Sequence, residues 1–179
     1  TGPKAPYATL FIDHPATEMR VWLWQTWQRG INGILVWQTN FWTSPIAYPD
    51  SLQNPYADPM SWVTGYGVSP GTKRAWGNGD GRFLYPPQIA ADRSSDAPVL
   101  DPPVGSIRFD MLRDGIEDYE YLTLLRDRIA ALEARRADID LAPYRRLLEV
   151  PDDITSSMTD FTWDPAPIEA RRTAVAEAL

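Results

Sequence analysis

The chain has 179 residues, 44% of them hydrophobic, and a formal net charge of −7 at neutral pH. That length supports a sizeable core, and the acidic balance speaks against nucleic acid or an anionic membrane surface as a partner. With no Cys and a single His, His14, disulfides, thiolate metal sites and a His-rich metal centre are excluded, so no metal and no cofactor is expected.

No apolar run reaches 18 residues, so no transmembrane helix is predicted. Thr1 opens no signal peptide, and a start without Met points to a processed or excerpted piece. The compartment stays open, with a secreted or cell-surface bacterial setting favoured. Eight Trp and eight Tyr are many. Large aromatics either fill a core or offer stacking faces to flat amphipathic partners such as sugars.

Residues 7–13 read as a short strand, and Asp13 or His14 can cap the helix that follows, with Pro15 in its first turn. Met19, Trp22, Leu23, Thr26 and Trp27 recur at three- and four-residue steps, which predicts a helix over 16–29 stopped by Gly30. Ile34, Leu35, Val36 and Trp37 then form a continuous apolar run, the mark of a strand buried on both faces. Strand, helix, strand is a βαβ unit with parallel strands and a right-handed crossover.

Residues 43–82 are rich in Pro, Gly and aromatics, which predicts an ordered loop with a small hairpin around Trp62 to Tyr66. Asn78-Gly79-Asp80-Gly81 is a strong turn signal, favoured over a calcium or phosphate loop. Residues 82–85 make a third short strand, and residues 88–105 a second loop. Ser106 is a plausible N-cap for a helix whose apolar stripe runs from Ile107 to Leu132. Gly115 costs about 1 kcal/mol inside a helix, so a close packing contact or a bend is expected there. A short helix is predicted over 144–150, irregular chain over 154–163, and a last helix from Asp164-Pro165 to Leu179.

Three places could carry chemistry. Asp13 sits at the carboxyl end of the predicted strand, where α/β folds place their sites, unless it only caps a helix. Trp37, Asn40 and Trp42 combine indole faces with an amide, which suits a sugar ring, unless the indoles fill the core. The charged set Arg108, Asp110, Arg113, Asp114, Glu117, Asp118 and Glu120 reads as a solvated, paired helix face, with Arg113 and Glu117 at i,i+4. No Gly-x-Ser-x-Gly elbow accompanies Asp13 and His14, so they make no triad.

These pieces form a familiar set. Ile12-Asp13, Arg20, Trp22-Leu23-Trp24-Gln25, the run from Gly30 to Trp37, the run from Gly79 to Pro86 and the run from Ser106 to Leu122 recur in order. Together they resemble the C-terminal part of the catalytic barrel of glycoside hydrolase family 123 and its uncharacterised relatives. The likeness spans about residues 5–130. It implies an α/β fold, the C-terminal portion (about three βα units) of a TIM-like (β/α)8 barrel with long aromatic-rich loops. Residues 1–150 would be that barrel part, and 151–179 an extension whose helix packs on it.

Family members of known activity are exo-acting β-N-acetylgalactosaminidases that use substrate assistance. Their adjacent Asp-Glu acid/base pair lies on an earlier strand. No Asp-Glu dipeptide occurs in this chain, so no catalytic residue is expected in it. The resemblance implies a sugar subsite lined by Asp13, Trp37, Asn40 and Trp42, with Asp80 and Tyr85. The implied partners are a carbohydrate substrate and the N-terminal part of the same barrel. The alternative is a carbohydrate-binding or structural module that kept the barrel and lost the chemistry.

Overall fold

The structure, a computed structural model, describes residues 5–42, 53–59, 61–64, 69, 72–75, 77–94, 96–135 and 138–179. In chain order the elements are α1 (Thr17–Gln28), β1 (Ser61–Thr64), β2 (Thr72–Ala75), β3 (Leu84–Tyr85), α2 (Gln88–Ala91), β4 (Val104–Gly105), α3 (Ile107–Ala134), α4 (Ala142–Leu147) and α5 (Ala166–Ala178). They fall into two compact units. One holds Leu10–His14 and Leu35–Asp110, the other residues 5–9, Pro15–Ile34 and Met111–Leu179.

The second unit is helical. Val21 and Trp24 of α1, Leu122 and Leu125 of α3, and Ile168 and Val175 of α5 are buried in one cluster. The predicted stripe of α1 holds at Met19, Leu23 and Thr26, which are buried, while Trp22 and Trp27 are half-buried. Burial goes further round the helix, to Glu18 and Gln25. Buried polar groups need partners, and these have them. The Thr9 amide donates to Glu18 Oε2 at 2.9 Å, and Gln25 Nε2 donates to Thr155 Oγ1 at 3.1 Å. Ala16 stands at the N-cap of α1 and no side chain caps it, so the capping role expected of Asp13 or His14 is not taken up.

Gly30 ends α1 as predicted. At φ +65° it sends its amide to the Trp27 carbonyl, while Ile31 bonds back to Thr26, the two bonds of a Schellman stop. The last two helices lie close to their predicted places. Asp164 Oδ1 accepts from the Ala166 amide at 3.0 Å and so satisfies a free donor at the start of α5.

Gly115 has the close contact that its cost demanded. A Cβ there would stand 3.1 Å from Leu23 Cγ and 3.2 Å from the Arg20 Cα. Gly115→Val is therefore expected to lower stability by about 1–3 kcal/mol, as overpacking does. Urea unfolding of the full-length protein measures it, and an unchanged midpoint would mean that Leu23 simply gives way.

The first unit departs from expectation. Among the described residues every strand pair is antiparallel. Strand β1 pairs with β2 in the register Ser61 to Ala75, and β3 with β4 in the register Leu84 to Gly105. The hairpin expected around Trp62 to Tyr66 is met at Trp62, but the second strand lies further on, at Thr72–Ala75, and Tyr66 falls outside the described residues. The strands expected over 7–13 and 33–39, and the parallel pairing between them, are not formed. Leu35 is 81% exposed, which no strand buried on both faces would be. The cause is physical. A strand is held by neighbours on its edges, and four apolar residues in a row read the same whether or not neighbours are at hand. What remains of the sheet here is an Asn40 to Arg82 bridge and the two-residue pair of β3 and β4. The described chain is thus mixed and largely helical, with small two-stranded sheets. Among the described residues, no helix is long and apolar enough to cross a membrane.

Candidate functional site

All six predicted site residues lie in the first unit. They gather in two groups. The first surrounds the turn at 78–81, where Gly79 and Gly81 take φ of +76° and +73° and so fulfil the turn signal. Asp13 accepts a hydrogen bond from Asn78 Nδ2. The Trp37 indole donates to Asp80 Oδ1 at 2.9 Å. Asp80 is buried, whereas Asp13 and Trp37 are exposed, Trp37 at 46%. Phe41 sets its ring edge-on to Trp37, centroids 4.9 Å apart.

The second group surrounds β3. Trp42 donates its indole N–H to the Leu84 carbonyl at 2.7 Å. Tyr85 meets Tyr56 edge-on at 5.1 Å, and the Tyr56 hydroxyl donates to the Pro86 carbonyl. Asn40 lies between the groups in sequence. It is exposed, accepts from Gln38 Nε2 at 2.9 Å and bridges to Arg82.

Arg108 joins the two groups, and the sequence reading missed it. Taken for part of a solvated face, it is 4% exposed. Its guanidinium donates to the carbonyls of Leu10, Gly79 and Arg82 at 2.9, 2.8 and 2.6 Å. It also stands over the Phe83 ring, 4.9 Å from its centroid. Arg82 does similar work, donating to the carbonyls of Phe41 and Asp58 and to Gln53 Oε1. Burial pulls both guanidinium pKa values down, against the raising influence of nearby Tyr85 with Asp58 for Arg82 and with Asp80 for Arg108. Neither arginine gives up its charge. One signal in the sequence could have exposed Arg108. It stands in the first turn after Ser106, where the helix dipole disfavours a cation, so another force must hold it there.

Ser106 is the N-cap that was expected, its Oγ accepting from the Phe109 amide at 3.3 Å. The solvated-face reading also fails at Asp118, which is 2% exposed. It holds at Arg113, whose side chain is 58% exposed and 3.7 Å from Glu117.

What the site offers chemically is an exposed indole, amides and a carboxylate on a turn braced from below. Among the described residues, no group of three or more His, Cys, Asp or Glu is placed to hold a metal ion. A groove of about 330 Å³ in the second unit, between the end of α1, residues 32–34 and residues 116–123 of α3, contains none of the six candidates.

Comparison with the curated proteins returns no match. The model of the glycoside hydrolase 123 catalytic domain, by contrast, matches residues 2–125, which include both groups around the turn and β3. A match over more than half of the chain means that the chain belongs to the glycoside hydrolase 123 catalytic-domain family.

Proposed function

We propose that the chain is part of an exo-acting β-N-acetylhexosaminidase of the galactosaminidase type. In this reading residues 1–150 form the C-terminal portion of a TIM-like barrel, and residues 151–179 an extension of it. An N-terminal part of the same barrel would supply the parallel strands that this reading sets beside 7–13 and 33–39. It would also supply the Asp-Glu pair that these 179 residues do not contain. The single observation that carries the reading is the family match across the residues that present Trp37.

The chemistry divides accordingly. In a substrate-assisted retaining mechanism the acetamido carbonyl of the sugar attacks its own anomeric carbon while a carboxylic acid protonates the leaving oxygen. Both carboxylates act from outside this chain. The task of the chain is to hold the ring. Trp37 would take the apolar face of the sugar, with Trp42 and Tyr85 as further walls. Asn40, Asp13 and Asp80 would meet hydroxyls or position what does.

The test is hydrolysis of 4-nitrophenyl N-acetyl-β-galactosaminide by the full-length protein, with the gluco epimer beside it. Turnover with the galacto sugar preferred is expected. Trp37→Ala should raise KM about tenfold, the scale of one aromatic face lost from a bound apolar surface. No turnover of either sugar, with retained binding of N-acetylgalactosamine, would favour the non-catalytic module. That second reading has one observation of its own, the missing Asp-Glu dipeptide.

A further inference from the structure

We infer that the turn at 78–81 is a device for setting the orientation of the Trp37 indole, and that Asp80 is a positioning residue, not a substrate contact. The inference rests on the proposed sugar-binding role of Trp37 and adds to it a mechanism.

The indole is held along one edge. Its Nε1–H donates to Asp80 Oδ1 at 2.9 Å. The neighbouring atoms of that edge lie on the Gly81 backbone. A Cβ on Gly81 would stand 2.7 Å from Trp37 Cζ2 and 3.1 Å from Cη2. Position 81 is closed to side chains twice over, since its φ of +73° also disfavours them. Phe41 adds a ring contact to the indole, and its amide bonds the Gly81 carbonyl at 2.8 Å. An exposed Trp without such contacts keeps rotamer freedom that a ligand must then freeze. Here the freedom is removed before any ligand arrives, while 46% of the residue still faces solvent.

The turn is itself fixed. Arg108 takes the Gly79 and Arg82 carbonyls on either side of Asp80 and Gly81. Asp80 is 4% exposed and spends only one oxygen. Its Oδ2 has no hydrogen-bond partner among the described residues. A buried carboxylate with half of its capacity unused costs the fold stability. An apolar residue at position 80 would avoid that cost but would release the indole. The acceptor is a carboxylate oxygen withdrawn from solvent, where a hydrogen bond is stronger than in water, so its single bond to Trp37 is a firm and directional hold. With its atoms out of reach of solvent, Asp80 acts on a ligand through Trp37.

The experiment uses 15N-labelled full-length protein. The Trp37 indole N–H resonance is the one lost in Trp37→Phe. In Asp80→Ala that resonance should move and exchange faster with water, and affinity for N-acetylgalactosamine should fall about tenfold, the range of one hydrogen bond to a charged group. Asp80→Asn keeps an acceptor of nearly the same shape, and should restore the resonance and bring affinity to within about threefold of wild type. An unmoved resonance with unchanged affinity in Asp80→Ala overturns the inference. So does an Asp80→Asn variant as weak as Asp80→Ala, because the ligand would then be reading the charge. The sugar-binding reading fails separately, if Trp37→Ala binds N-acetylgalactosamine as wild type does. The indole resonance in the Asp80 variants still decides the clamp in that event.

Discussion

Arg20→Ala is expected to lower the unfolding free energy of the full-length protein by about 3–5 kcal/mol, the cost of stranding a buried charge. Arg20 grips Asp118 with both arms of its guanidinium, Nε to Oδ2 at 2.9 Å and Nη2 to Oδ1 at 3.0 Å. The two side chains are 3% and 1% exposed. Trp24 adds its indole N–H at 3.0 Å, and Arg172 approaches at 3.4 Å from a more open position.

The two partners respond differently to this enclosure. For Arg20, burial alone would lower the pKa, but the bonds to Asp118 and Glu169 outweigh it and raise it. For Asp118, burial pushes the pKa up, and Arg20, Trp24 and Arg172 pull it back without cancelling the rise. The fork geometry keeps the pair ionised at neutral pH. Removing Arg20 therefore sends Asp118 higher still. A carboxyl raised in the fold is stabilising when protonated, so the deficit of Arg20→Ala should shrink as pH falls through the raised Asp118 pKa and grow as pH rises through it. Urea titrations at several pH values read both effects. A loss under 1 kcal/mol would mean that Arg172 takes over the carboxylate.

Arg108→Ala is expected to cost as much by a different route. It leaves the Leu10, Gly79 and Arg82 carbonyls short of a donor in buried surroundings and takes a positive charge from near Asp80. At about 1–3 kcal/mol for each unsatisfied buried group, the sum is about 3–5 kcal/mol after partial relaxation. Arg108→Lys should recover only part of it, because a single ammonium cannot reproduce a planar fork aimed at three oxygens. Because the clamp braces the turn beneath Trp37, the Trp37 indole resonance should broaden in Arg108→Lys even where the protein stays folded. A Lys variant as stable as wild type would contradict the fork argument.

Local physics was legible in the sequence. Helical period found Met19, Leu23 and Thr26 on α1 and Leu122 and Leu125 on α3, and stop and start chemistry found Gly30, Ser106 and Asp164. Each of these signals lies within one or two turns of chain. Gly115 was informative because its cost had to be repaid by a contact, and Leu23 supplies that contact. The turn at 78–81 was legible for the same local reason.

What failed is non-local. Residues 7–13 and 33–39 carry strand composition, but strand formation depends on what lies beside them. Arg108 and Asp118 looked solvated because their partners are distant, with 98 positions separating Arg20 from Asp118 and Leu10 from Arg108. Of the candidate site, the sequence identified Trp37 and Asp80 separately, and nothing in it joined one to the other.

Arg108 binds main chain at each of its three carbonyl contacts. Main-chain oxygens are the same in every residue, so the arginine makes no demand on the side chains at positions 10 and 82. Position 79 is the exception, where a Cβ would stand 2.6 Å from the guanidinium. Positions 10 and 82 can therefore exchange side chains, as far as Arg108 is concerned, while the path of the main chain stays fixed. Such a joint separates where the loop runs from which side chains it carries, so these can change by single substitutions without rebuilding the frame.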